Sequence, residues 1–279
     1  MNKAKLTLVG AGPGDPELIS LKGVRALKEA DVVLYDALIH PDLLKYAPES
    51  AQKIFVGKKK GVCQFPQEEI NRLIVDCALN YGHVVRLKGG DPFIFGRGHE
   101  ELIYAQAFNI PTEIVPGISS SISVPELQQI PLTRRGVNDS FWVLTGTTKE
   151  HQLSKDIEIA AKSNATVVIL MGMTKLLEIT EVFRLEGRSD TPVAVIQNGT
   201  LPNEKIALGS VETIAEIAKE QGLSSPAIIV IGEVVSLHPR YLKELIQSTK
   251  TPFIEPEGKV LTNPGLKGFY QKLRTNFKF

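Results

Sequence analysis

The sequence predicts an α/β protein of two α/β domains, with a parallel sheet in the N-terminal domain, a mixed sheet in the C-terminal domain and the active site in the cleft between them. Three observations predict this. Through the first half, short β-branched runs alternate with stretches of helical periodicity, the pattern of a parallel sheet covered on both faces. A second series of such runs starts near residue 140. Within it, PVAVIQNG and KIALGSV are separated only by the turn-like TLPNE, which suggests a hairpin and hence strands of mixed direction. Ligands of open α/β sheets bind beyond the carboxyl ends of the strands, so the strand-to-loop junctions are where function is sought.

From the N-terminus, KLTLVGAG (5–12) reads as a strand, and LKGVRALKEA (21–30) has helical spacing, with Leu21, Val24, Leu27 and Lys28 near one face. DVVLYD (31–36) and QKIFVGK (52–58) are the next strands. QEEINRLIVDCALNYG (67–82) is a helix: Ile70, Leu73, Ile74, Cys77 and Ala78 form an i, i+3, i+4, i+7, i+8 stripe, and Gly82 stops it. HVVRLKGGD is the fourth strand, GHEELIYAQAFN a helix and PTEIVPG (111–117) the fifth strand. The second series comprises FWVLTG (141–146), TVVILMG (166–172), PVAVIQNG (192–199), KIALGSV (205–211) and AIIVIG (227–232). The turn-rich SVPELQQIPLTRRGVNDS sits between the two series. The chain therefore divides into an N-terminal α/β domain (1–122), a linker region (123–140), a C-terminal α/β domain (141–236) and a basic C-terminal extension (237–279). The extension opens on a helix candidate, PRYLKELIQS, and sets eight Lys/Arg against three Glu.

With 279 residues, 43% hydrophobic and 23% charged, the chain has room for two full cores. A formal net charge of +1 argues against nucleic-acid wrapping or a membrane-surface role. No apolar run approaches the roughly 18–20 residues that span a bilayer, and the N-terminus reads as a strand rather than a secretory signal. Cys63 and Cys77 make no disulfide framework, and the five histidines are scattered, so neither a metal site nor an oxidising compartment is expected.

Two glycine-rich junctions stand out. GAGPGD (10–15) follows a strand, but Asp15 occupies the third position of the dinucleotide fingerprint and Pro13 removes a backbone N–H. It reads as a rigid, close-approach turn rather than a phosphate cradle. LKGGDPFIFGRG (87–98) is the stronger signal. Gly89 and Gly90 let a ligand lie on the backbone at a strand end, Asp91 before Pro92 supplies a fixed acceptor, and Phe93 and Phe95 form an apolar wall. Arg97 and Glu100 then start a helix with opposite charges. EIVPGISS (113–120), VVILMGM (167–173) and VIQNGT (195–200) repeat the strand-to-turn device.

The combination of VGAGPGDPELISLKG, VVRLKGGDPFIFGRGHEEL, IVPGISS, IPLTRRG, LMGM and QNGT resembles the uroporphyrinogen-III C-methyltransferases, within the S-adenosylmethionine-dependent tetrapyrrole methyltransferases. The resemblance runs from about residue 5 to about residue 236. It implies that S-adenosylmethionine is the methyl donor, with S-adenosylhomocysteine as product and no metal. The family's cofactor contacts fall on Pro13, Gly89, Gly90, Asp91, Ile94, Ser119, Ser120, Met171, Gly199 and Ala227. The family commonly shows Thr-Ala at Ser119-Ser120, Thr at Ser20 and His at Arg134.

The reaction implied is methylation of uroporphyrinogen III at C2 and C7, giving precorrin-2 by way of precorrin-1 in sirohaem- or cobalamin-type biosynthesis. The alternative is a methyltransferase of the same fold acting on a later corrin precursor. By the same resemblance Asp36 is the proton acceptor and Lys58 the proton donor, and Arg97 is a further candidate catalytic and substrate-binding group. Uroporphyrinogen III is a polycarboxylate, which suits Arg97 and Arg135 as substrate ligands, with Glu100 accepting pyrrole N–H bonds. A cytoplasmic homodimer acting on a small tetrapyrrole, without nucleic-acid or membrane partners, completes the expectation.

Overall fold

In the computed structural model the described residues are 3–57 and 65–241. They fall into two compact units, residues 1–124 with 197–205, and residues 125–196 with those from 206 onward.

The first unit is built on a five-stranded parallel sheet of β1 (Lys5–Gly10), β2 (Val32–Tyr35), β3 (Gln52–Phe55), β4 (His83–Lys88) and β5 (Thr112–Val115), in the order β3-β2-β4-β1-β5. Helices α1 (Leu21–Lys28), α2 (Gln67–Tyr81), α3 (Gly98–Ala107) and α4 (Ser120–Leu127) connect and cover it. Because side chains alternate across a strand, the sheet has two cores. Leu6, Leu8, Val32, Leu34 and Val84 pack with Ile70, Ile74, Leu102 and Ala105 of α2 and α3. Val9, Val33, Val85, Leu87 and Val115 pack on the opposite face with Leu27 and Leu43. In α2 the buried stripe is Ile70, Ile74, Cys77 and Ala78, joined by Asn71 and Val75. In α1 the buried face is rotated from the expected one: Leu27 is buried as expected, but Leu21 is 81% exposed and Gly23 and Ala26 are buried beside Leu27. Ser20 caps the helix, its Oγ accepting from Gly23 N at 3.1 Å, so Leu21 is the first helical residue.

The second unit holds a five-stranded sheet of β6 (Phe141–Thr145), β7 (Thr166–Leu170), β8 (Pro192–Gln197), β9 (Lys205–Ser210) and β10 (Ala227–Ile231), in the order β6-β7-β10-β8-β9. β6 and β7 are parallel and β7 and β10 antiparallel, so the sheet is mixed. Helices α5 (Asp156–Ala161), α6 (Leu176–Leu185) and α7 (Ile214–Glu220) accompany it, with Ile157, Phe183, Val193, Val195, Ile229 and Ile231 in its core.

The division differs from the expected one in two places. Residues 123–140 are not simply a linker: they begin inside α4, and the unit boundary falls at Val124/Pro125. Further on, the buried Asn138 organises a turn by donating from Nδ2 to the carbonyls of Leu132 and Ser140 at 2.9 and 2.8 Å, while its Oδ1 accepts from Arg134 N at 2.9 Å. Residues 197–205 belong to the first unit although they follow strands of the second. A Cβ on Gly199 would lie 2.6 Å from Val124 Cγ2, and Thr200 Oγ1 accepts from Asp15 N at 2.8 Å, so this loop is seated on α4 and on the GAGPGD turn. The segment PRYLKELIQS lies mostly, and the rest of the basic extension wholly, outside the described residues.

Candidate active site

The loops leaving the carboxyl ends of β1, β4 and β5 converge on bare backbone. Gly12 and Gly90 bridge each other, with Gly90 N donating to Gly12 O at 2.7 Å. A Cβ on Gly117 would stand 2.6 Å from Gly10 Cα, a contact no side chain tolerates, so the chain there can only be glycine. Gly90 has φ +66°, yet a Cβ built on it would meet nothing nearer than Ser120 N at 3.9 Å. The backbone is thus uncovered at Gly90, beside the first turn of α4. The strip leaves room for a ligand to lie flat against the main chain.

Asp91 is committed more deeply than expected. Its Oδ1 accepts from Phe93 N at 2.8 Å and its Oδ2 from Gly117 N at 3.1 Å, tying the loop after β4 to the loop after β5. Each oxygen retains a second acceptor direction for a ligand. Gly89 is packed under Leu38, whose Cβ would be 2.9 Å from an added Cβ. Phe93, Ile94 and Phe95 are each close to half exposed, an apolar wall open to whatever occupies the strip. Ser119 is buried, and its hydroxyl pairs with that of Ser121 at 2.8 Å and accepts from Ser121 N, so it serves the start of α4. Pro13 lies in the GAGPGD turn. There Asp15 caps the short 3₁₀ turn Pro16–Leu18 by accepting from Glu17 N at 2.8 Å.

Eight of the ten predicted cofactor contacts therefore lie in the first unit. Met171 and Ala227 lie in the second. Met171 directly follows β7 with φ 55°, its carbonyl accepting from Thr147 Oγ1 at 2.9 Å. The β7–β10 register pairs Leu170, the neighbour of Met171, with Ile228, the neighbour of Ala227.

Arg97 caps α3 in a left-handed conformation, φ 59°, and its guanidinium forks onto Glu100, with Nε–Oε1 at 2.9 Å and Nη2–Oε2 at 2.6 Å. That hydrogen-bonded carboxylate raises the Arg97 pKa. Both side chains are about half exposed, so the two predicted substrate ligands already engage each other. Arg135 is exposed in the Asn138-organised turn of the second unit. Lys58 lies outside the described residues.

Asp36 sits directly after β2, and its surroundings are what the sequence reading missed. Period-two alternation puts Arg86 and Lys88 of β4 on the same face as Val84, and Leu34 and Asp36 on that face beside them. Arg86, 2% exposed, donates from Nη2 to Asp36 Oδ1 at 2.6 Å and from Nε to Glu101 Oε1 at 3.2 Å. Lys88 Nζ is 3.0 Å from the same Glu101 oxygen and 4.0 Å from Asp36 Oδ2. Burial works against the Arg86 charge, but the Glu101 and Asp36 carboxylates outweigh it and raise its pKa. Burial pushes the Lys88 ammonium down, Arg86 adds to that, and the two carboxylates offset it only in part. Glu101 is fully buried, and its Oε2 has no hydrogen-bond partner among the described residues. The signal was legible in principle: Gly98, Glu101, Leu102 and Ala105 follow the i, i+3, i+4, i+7 spacing of an inward face, whereas Glu100 points outward.

Among the described residues no group of three or more His, Cys, Asp and Glu is placed to hold a metal, and no helix is long and apolar enough to cross a membrane.

Comparison with known proteins adds a near-full-length likeness. Residues 5–215 match the model of the tetrapyrrole (corrin/porphyrin) methylases. A uroporphyrinogen-III C-methyltransferase of Methanocaldococcus jannaschii is 49% identical over 235 residues, 84% of this chain and 97% of that protein. A siroheme synthase of Actinobacillus pleuropneumoniae is 44% identical over 251 residues, 88% of this chain but 51% of its own, so the chain spans about half the length of that relative. Among solved structures, a uroporphyrin-III C-methyl transferase from Thermus thermophilus, complexed with S-adenosyl homocysteine, superposes with a TM-score of 0.72 at 38% identity, covering 84% of this chain and 99% of that one.

Proposed function

Because the chain belongs to the tetrapyrrole (corrin/porphyrin) methylases, we propose that it transfers methyl groups from S-adenosylmethionine to C2 and C7 of uroporphyrinogen III, giving precorrin-2 by way of precorrin-1. The observation that carries this reading is the near-complete coverage and high identity shared with the Methanocaldococcus enzyme. When bound, the donor supplies a methyl carbon on a sulfonium, already activated for in-line attack by an electron-rich pyrrole carbon. The protein's share is then positioning, exclusion of water and removal of a proton.

The open backbone at Gly90, with Gly89, Asp91 and Ser120 around it and Pro13, Ile94, Ser119 and Gly199 in the adjoining loops, would hold the donor. The family resemblance adds Met171 and Ala227 to the donor contacts. Arg97 and Arg135 would bind substrate carboxylates, with Glu100 turning from Arg97 toward the pyrrole N–H groups. Asp36 would accept the proton lost as the methylated ring re-forms its double bonds, and Lys58 would donate one. A cytoplasmic homodimer feeding sirohaem- or cobalamin-type synthesis belongs to the same reading.

Anaerobic incubation with uroporphyrinogen III and S-adenosylmethionine, followed by mass analysis of the tetrapyrrole, tests it. A gain of two methyl groups is expected. No gain with S-adenosylmethionine still bound would move the search to later corrin precursors, and no binding at all would overturn the reading.

A further inference from the structure

We propose that Glu101 is a positioning residue for this reaction: with Arg86 and Lys88 it forms a buried charge frame that orients the Asp36 carboxylate, and Asp36 works through that frame. The inference rests on the reading of Asp36 as proton acceptor.

The frame has a direction. Glu101 Oε1 collects three donors, Gln67 Nε2 at 3.1 Å from α2, Arg86 Nε at 3.2 Å and Lys88 Nζ at 3.0 Å from β4. Arg86 passes this on. Its Nε is held by Glu101, its Nη1 lies 3.4 and 3.3 Å from the carbonyl oxygens of Leu34 and Leu87, and its Nη2 donates to Asp36 at 2.6 Å. A guanidinium held on three sides cannot turn, so the hydrogen bond it presents to Asp36 has a set direction. Only the last member of the series opens outward: the side chains of Glu101, Arg86 and Lys88 are at most 5% exposed, and that of Asp36 is 26% exposed.

Stability alone gives no reason for such a set. Two buried cations and two carboxylates are commonly no better than apolar residues of the same volume, and Val84, one step earlier on this face, is apolar and fully buried. The frame carries one net positive charge, which the Asp36 carboxylate at its open end balances. Among the described residues, the charged groups that face Asp36 are Arg86 and Lys88 from β4, with Glu101 of α3 behind them.

The test is the pH dependence of kcat/KM for methyl transfer in the full chain, with S-adenosylmethionine binding and thermal unfolding followed separately. Glu101→Gln keeps the shape and removes an anion from behind Asp36, so the acid limb of the profile moves to lower pH. Lys88→Met removes a cation 4.0 Å from Asp36, so the same limb moves to higher pH. Opposite displacements in the two variants are the expected result. If Glu101→Gln does not fold, the upward displacement in Lys88→Met carries the test. Folded variants that lose rate while the acid limb stays in place would overturn the proposal. Asp36→Asn with undiminished activity would instead overturn the reading of Asp36 on which it rests.

Discussion

At the carboxyl end of the first sheet, Asp36, Arg86, Lys88 and Glu101 are gathered in the interior; at its amino end, Lys5 and Lys22 close on Glu113 at the surface, at 2.8 and 2.7 Å. Both clusters pair cations with carboxylates at similar distances, but they differ in solvent. The Glu113, Lys5 and Lys22 side chains are 34%, 38% and 55% exposed, against 0% and 2% for Glu101 and Arg86. Hydrogen bonds from Lys22 and Lys5 hold the Glu113 carboxyl down at about 2. Water screens that pair, so the depressed value is worth little to the fold. In the buried cluster Arg86, Lys88 and Glu101 have given up their hydration and depend on their partners, so losing one strands the others. Distance alone therefore does not rank ion pairs; desolvation does.

The comparison can be broken most forcefully at Glu101. Glu101→Leu leaves Arg86 and Lys88 buried with only Asp36 to compensate them and is expected to cost about 3–5 kcal/mol in urea unfolding. A cost no larger than that of removing Glu113 would erase the distinction between the two ends. Next in size is the latch that seats residues 197–205 at the carboxyl end: Thr200→Val removes the acceptor of Asp15 N and should cost about 1 kcal/mol.

Smallest is Glu113→Gln, expected to cost under about 1 kcal/mol at neutral pH once screening is allowed for. Its pH dependence sharpens the contrast. A carboxyl with a depressed folded value contributes stability that is complete above its ordinary value of 4.5 and is lost as pH falls from there toward about 2. Urea unfolding of the wild type and Glu113→Gln should therefore converge through that window.

Much of the fold was legible in the residues. β4 and its flanking helices follow from HVVRLK, from the stripe Ile70, Ile74, Cys77, Ala78 and from the glycines that stop them. The mixed sheet followed from the short TLPNE turn between PVAVIQNG and KIALGSV, because two strands so closely joined have no room for a crossover helix. The candidate site was legible where chemistry is local: Gly90 must be free of a side chain, and Asp91 must accept. What Asp91 accepts from was not, since Gly117 comes from another strand end, 26 residues away. Arg97 and Glu100 were chosen as substrate ligands without sight of the fork they form with each other.

The sequence by itself determined the order of strands and helices, the glycine-rich junctions and the family, because periodicity, turn chemistry and motif spacing are properties of neighbouring residues. Only the tertiary structure decided that Arg86, Lys88 and Glu101 stand behind Asp36, and that residues 197–205 belong with the first unit. These are contacts between distant segments. A strand's alternation says which side chains share a face, but the opposite charge waiting there comes from another strand or helix, and pairing at such range is settled only when the sheet is assembled and water is excluded.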